Sequence, residues 1–142
     1  MKIAVIYATK TKHSKKLAEA VGSFLNVEAQ NIYGNPALND IGLLFIAGGI
    51  YGGASLPELL DYLKKLNPPL PGCAALITSC ASGRQRQTAV RCILEGKGIK
   101  VIDEFVCKGS IMFVSMNHPD AGDLKDSAEF AQKIMSAMAQ SG

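Results

Sequence analysis

Residues 9 to 14, Thr-Lys-Thr-Lys-His-Ser, bring three hydroxyl side chains, two lysines and a histidine into six consecutive positions. Thr9, Thr11 and Ser14 suit a terminal phosphomonoester, whose oxygens need several separate donors. Lys10 and Lys12 add positive charge, and His13 donates as well when cationic. The spacing excludes two commoner phosphate loops. No glycine lies between Ala8 and Ser14, so the Gly-rich approach to a pyrophosphate is missing, and so is the Gly-Lys-Ser/Thr core of a P-loop. The same residues also fit a solvated strand-to-helix loop that binds nothing.

Cys80 and Arg86 have the C-x5-R spacing of a phosphatase loop, but Gln87 follows where that chemistry wants Ser or Thr. Cys80 alternatively reads as a redox-affected thiol or a plain loop cysteine. His118 precedes Pro119 and reads as loop. Cys73, Cys80, Cys92 and Cys107 lie far apart, without C-x-x-C or metal-ligand spacing, and are expected as small buried hydrophobes.

The elements that must position these residues are legible. Ile3 to Tyr7 is an apolar run long enough for a strand buried on both faces and too short for a helix. Ser14 is placed to cap a helix whose Leu17, Val21 and Leu25 repeat at intervals of four. A strand, a hydroxyl loop and a helix N-terminus together direct N–H groups and the positive end of the helix dipole at one point.

Val27 to Ile32 reads as a short second strand, and residues 33 to 36 as a turn. Leu43 to Ala47 is a third, buried strand. Gly48 to Ala54 looks too glycine-rich for any regular element. Ser55-Leu56-Pro57-Glu58 has capping-box spacing ahead of a helix carrying Leu59, Leu60, Leu63 and Leu66. Ala74 to Thr78 is a fourth strand, residues 85 to 95 a helix, and Ile99 to Val106 a fifth strand, nearer an edge. Residues 107 to 119 have no regular pattern. From about Asp123 a last helix carries an apolar stripe from Leu124 to Met138.

At 142 residues, with a hydrophobic fraction of 48%, the chain is expected to be one domain, residues 1 to 142, with a sufficient core. No apolar stretch approaches membrane-spanning length, and the first strand begins too early for a cleavable signal, so a cytoplasmic protein is expected. A net charge of +3 is too mild for nucleic-acid binding. Its distribution is uneven: Lys10, Lys12, Lys15 and Lys16 cluster at the first loop, and Arg84, Arg86 and Arg91 later.

Alternating strands and helices imply an α/β fold, a doubly wound five-stranded parallel sheet. Ligands of such sheets bind beyond the carboxyl ends of the strands. The loops at residues 8 to 14, 48 to 54 and 79 to 84 must all emerge on that edge.

With the loops in this arrangement the chain resembles the short-chain flavodoxins, essentially end to end. Residues 9 to 14 are similar to that family's phosphate loop, Thr/Ser-x-Thr-Gly-x-Thr. Gly48 to Ala54 and Ser79 to Gly83 stand where the family places the loops against the inner and outer faces of its flavin. The resemblance implies the strand order 2-1-3-4-5, FMN as cofactor and electron carriage between redox partners. By it, Thr9, Lys10, Thr11, Lys12, His13 and Ser14 hold the phosphate. Gly49, Ile50, Tyr51, Gly52 and Gly53, with Ser79, Cys80, Ala81, Ser82 and Gly83, face the ring, and the Gly52–Gly53 peptide rotates toward N5 on reduction. No general acid, base or nucleophile is implied.

Two positions depart from the family pattern. Lys12 stands where the family has Gly, and a left-handed backbone there costs a non-glycine residue about 1–2 kcal/mol. The outer loop lacks the usual large aromatic, leaving Tyr51 the nearby one, so the ring is either more exposed or covered by a partner. The Lys10–Lys16 and Arg84–Arg91 clusters imply a positive rim and a redox partner with an acidic docking surface, or an anionic substrate.

The main alternative is an FMN-dependent NAD(P)H oxidoreductase acting on a small acceptor such as a quinone. A scaffold of the same fold that has lost FMN is a third reading. A receiver-type signalling domain would need acidic residues after the first strand, where this chain has Thr and Lys.

Overall fold

The computed structural model describes residues 1 to 10, 12 to 80, 84 to 108 and 121 to 141. The strands are β1 (Ile3–Ala8), β2 (Ala29–Asn31), β3 (Leu43–Tyr51), β4 (Ala54–Ser55), β5 (Cys73–Cys80) and β6 (Lys100–Lys108). The helices are α1 (His13–Leu25), α2 (Pro57–Lys64), α3 (Thr88–Gly96) and α4 (Ala121–Ser141), with a 3₁₀ turn at Ile32–Gly34. The five main strands run parallel in the order β2-β1-β3-β5-β6, and the two-residue β4 pairs antiparallel with the end of β3. Counting main strands alone, this is the 2-1-3-4-5 order that the resemblance implies.

Side-chain alternation divides the core into two layers. Ala4, Ile6, Leu44, Ile46, Ala74 and Leu76 face one way and pack with Leu59 and Leu63 of α2 and Val90 and Leu94 of α3. Val5, Tyr7, Phe45, Ala75 and Ile77 face the other way, against Leu17 and Val21 of α1 and Phe130 and Ile134 of α4. The central strand β3 is buried through Ile50, as a strand covered on both faces must be.

Four local expectations are corrected. Gly48 to Tyr51 is not loop but the end of β3. The chain turns at Gly52 and Gly53, with φ of +61° and +85°, and Tyr51 pairs with Ala54. A two-residue hairpin needs positive φ at its central positions, which glycine adopts without steric cost. Ser14 does not cap α1. The cap is Lys12, and Ser14 lies inside the first turn. Ser55 belongs to β4, and α2 starts after Leu56 with no side-chain cap. Residues 85 to 87 precede α3 instead of opening it.

The strands at the far ends also shift. β2 is shorter than Val27 to Ile32, and β5 and β6 run on to Cys80 and Lys108. A one-residue bulge in β6 changes its phase: Ala74 pairs with Val101, but Ala75 pairs with Asp103. Ile102 and Phe105, three positions apart, thus face the α1–α4 layer together, while Glu104 pairs with Leu76 and turns inward. No helix among the described residues is long and apolar enough to cross a membrane.

Candidate functional site

The register puts three strand ends on one rim. Ala8 of β1 pairs with Gly48 of β3, and Gly48 pairs with Thr78 of β5. Two residues further, Ile50 pairs with Cys80. The first loop, the β3–β4 hairpin and the segment after Cys80 therefore leave the same edge, as the sequence requires. Thr11 and Ala81, Ser82 and Gly83 lie outside the described residues, as do positions 109 to 120 with His118.

The first loop and the hairpin touch. The Lys10 backbone N–H donates to the Tyr51 hydroxyl over 3.0 Å, and Thr9 Oγ1 lies 3.4 Å from the same oxygen. Lys10 Nζ sits 5.6 Å from the centroid of the Tyr51 ring, within cation–π range. The ring folds back over Gly49, where any Cβ would collide with it. Glycine at position 49 is what allows Tyr51 to reach the first loop.

The start of α1 has the makings of an anion site. Lys12 is held at φ 67° and ψ 1°, the left-handed conformation that its place in the loop requires. The Lys12 side chain makes no capping hydrogen bond, although the first-turn N–H groups of any helix need partners. Ser14 is completely buried, and its Oγ has no hydrogen-bond partner. A buried hydroxyl without a partner costs free energy that an arriving acceptor would return. These features fit the terminal phosphate of a phosphomonoester: a buried hydroxyl at a dipole-positive helix end, ringed by lysines.

The cysteine readings resolve differently. Cys80 is buried, its Sγ 3.6 Å from Gln85 Oε1. Arg86 turns to Glu104, with Nη1 4.0 Å from Oε1. The phosphatase spacing therefore does not bring the arginine to the thiol. Cys73, Cys80 and Cys107 are buried as expected, whereas Cys92 is exposed on α3, and all four are free thiols. Among the described residues no cluster of His, Cys, Asp or Glu could hold a metal.

The positive rim is lopsided. Lys10, Lys12 and Lys16 are exposed and Lys15 is half-buried. On the other side Arg91 Nη2 lies 3.7 Å from Glu104 Oε1, so Arg86 and Arg91 share a buried carboxylate and do not form an uncompensated cluster. Sequence reasoning passed over Glu104. The available signal was weak, since Glu104 stands beside Asp103 in a strand that also carries Lys100, and simple alternation from Val101 puts it on the wrong face.

No protein-family model matches the chain. It is 28% identical over 153 residues to an uncharacterized protein of Methanocaldococcus jannaschii, covering 95% of this chain and 99% of that relative. Among solved structures it is similar to oxidised flavodoxin 2 from Bacillus cereus, with a TM-score of 0.70 and 16% identity over 96% of this chain and 99% of that one. It is also similar to an NAD(P)H:quinone oxidoreductase from Methanothermobacter marburgensis, with a TM-score of 0.66 and 11% identity over 94% and 96% of the two chains.

Proposed function

The fold is flavodoxin-like, and we propose that the chain binds FMN at this rim and carries electrons between redox partners. The observation that supports this most directly is Ser14 Oγ, buried and unpartnered in the first turn of α1. In this reading Thr9, Thr11, Ser14 and the amides of residues 10 to 14 hold the phosphate. Gly49 to Gly53 form the inner wall, and Ser79 to Gly83 the outer wall. Bound FMN supplies one- and two-electron redox chemistry. The protein's part is to grip the phosphate, exclude water from one ring face and set the charge around the ring.

The lysines at positions 10, 12, 15 and 16 favour a partner with an acidic docking surface. A second reading, an FMN-dependent NAD(P)H oxidoreductase acting on a quinone-like acceptor, draws on the same basic rim and on the structural likeness to the quinone oxidoreductase. Titration of the purified protein with FMN and with riboflavin tests the first step. FMN is expected to bind at least about tenfold tighter than riboflavin, because the phosphate carries the α1 contacts. Equal affinities, or none, would overturn the site. Bleaching of the bound flavin by NAD(P)H alone under anaerobic conditions would select the oxidoreductase.

A further inference from the structure

Glu104 lies on the edge strand β6, yet its side chain is fully buried. The bulge in β6 turns it beneath β5 and the start of α3. Its Oε2 accepts two hydrogen bonds, from Thr78 Oγ1 at 2.5 Å and from the Gln87 backbone N–H at 2.7 Å. Thr78 and Gln87 are the two residues that bracket positions 79 to 86. The segment carrying the outer wall is therefore flanked on both sides by donors to one carboxylate oxygen.

The knot extends further. Thr78 Oγ1, having given its proton to Glu104, accepts from Gln87 Nε2 at 3.1 Å, and the same nitrogen donates to the Ile77 carbonyl at 3.2 Å. A Cβ on Gly48 would collide with Gln87 Oε1. The side chain of Gln87 thus presses on β3 just before the strand runs into the inner-wall hairpin. Oε1 of Glu104 makes no hydrogen bond and faces Arg86 and Arg91, which offset its charge. Such an arrangement is a costly way to gain stability alone, since a buried ion pair rarely outperforms apolar packing.

We infer that Glu104 is a positioning residue for the flavin slot: by clasping Thr78 and Gln87 it ties the end of β5 to the start of α3 and so fixes both ends of the outer-wall segment against β3. The inference rests on the FMN reading, and the test separates the two. Glu104→Gln removes the charge that two guanidinium groups and two donors converge on. Thr78→Val keeps the shape of a β5 residue and deletes one of those donors, which covers the case in which Glu104→Gln fails to fold.

Two quantities are read on each protein: hydrogen exchange of the backbone amides from Arg84 to Thr88 without ligand, and the dissociation constants of FMN and riboflavin. The Gln87 amide is expected to exchange about tenfold or more faster in Glu104→Gln, which loses the charged acceptor, and by a smaller factor in Thr78→Val, which keeps it. FMN and riboflavin are expected to weaken by the same factor, because the wall meets the ring and not the phosphate. A lowered melting temperature with both flavin affinities within about twofold of wild type would overturn the inference. Wild-type protein that binds neither flavin would overturn the FMN reading. In that case unchanged Gln87 exchange in the variants would overturn the clasp as well.

Discussion

The Tyr51 hydroxyl lies 3.0 Å from the Lys10 backbone nitrogen, so a residue at the hairpin's base accepts a hydrogen bond from the backbone of the first loop. Two parts of the rim 41 positions apart in sequence are thereby coupled, the ones that the FMN proposal assigns to the phosphate and to the ring. Tyr51→Phe removes the acceptor and leaves the ring over Gly49. FMN affinity is expected to fall several-fold, corresponding to about 0.5–1.5 kcal/mol for one hydrogen bond. Tyr51→Ala, which also removes the cation–π partner of Lys10, is expected to cost more. Fluorescence titration with FMN orders the three proteins.

Ser14 predicts opposite signs for stability and binding. Its buried Oγ has no partner in the protein alone, so Ser14→Ala relieves an unsatisfied group while leaving only a small void. Chemical denaturation of the ligand-free variant is expected to show unchanged or increased stability. FMN is expected to bind more weakly, and riboflavin as in wild type. A variant losing both stability and riboflavin binding would show that the hydroxyl is needed for the fold.

Lys12 stores backbone strain at φ 67°. Lys12→Gly removes a left-handed penalty of about 1–2 kcal/mol and gives back part of it through the freer unfolded chain, about 0.4–1 kcal/mol. The net expectation is a ligand-free protein more stable by up to about 1.6 kcal/mol, read from the urea midpoint at an unchanged m-value. Loss of stability would mean that the lysine side chain makes a compensating contact.

Tyr62 sets an alkaline limit. Its hydroxyl donates to the Pro36 carbonyl at 2.6 Å, and burial pushes its pKa up from 10.0 to about 12. The folded state thus holds the phenol proton more tightly than the unfolded state. The stabilisation is complete below pH 10 and is lost as pH rises toward about 12. Tyr62→Phe should flatten this part of the stability profile, measured by denaturation at fixed pH steps. A profile as steep as wild type would assign the alkaline loss to another group.

The sheet was legible because its strands announce themselves by hydrophobicity alone. Leu43 to Ile46 and Ala74 to Ile77 are apolar at every position, which only a strand covered on both sides tolerates. What escaped was phase and capping. Gly48 and Gly49 resemble loop residues, but they stay in β3 because Gln87 and Tyr51 occupy the space where side chains would be. Ser14 and Ser55 look like caps by type and spacing, yet both are buried with unpartnered hydroxyls. Local sequence cannot distinguish a cap from a hydroxyl held for something else. The inward turn of Glu104 depends on a bulge that no residue type in β6 announces.

That bulge makes the edge strand a counting device. Paired at the same length without it, Glu104 would fall opposite Ile77, send its carboxylate to the opposite side of the sheet and carry Phe105 and Cys107 out of the α1–α4 layer in the same stroke. Pairing at this edge is therefore constrained more tightly than composition: substitutions in β6 can be graded, whereas loss of the bulge at unchanged length would undo the hydrogen bonds of Glu104 and the packing of Phe105 together.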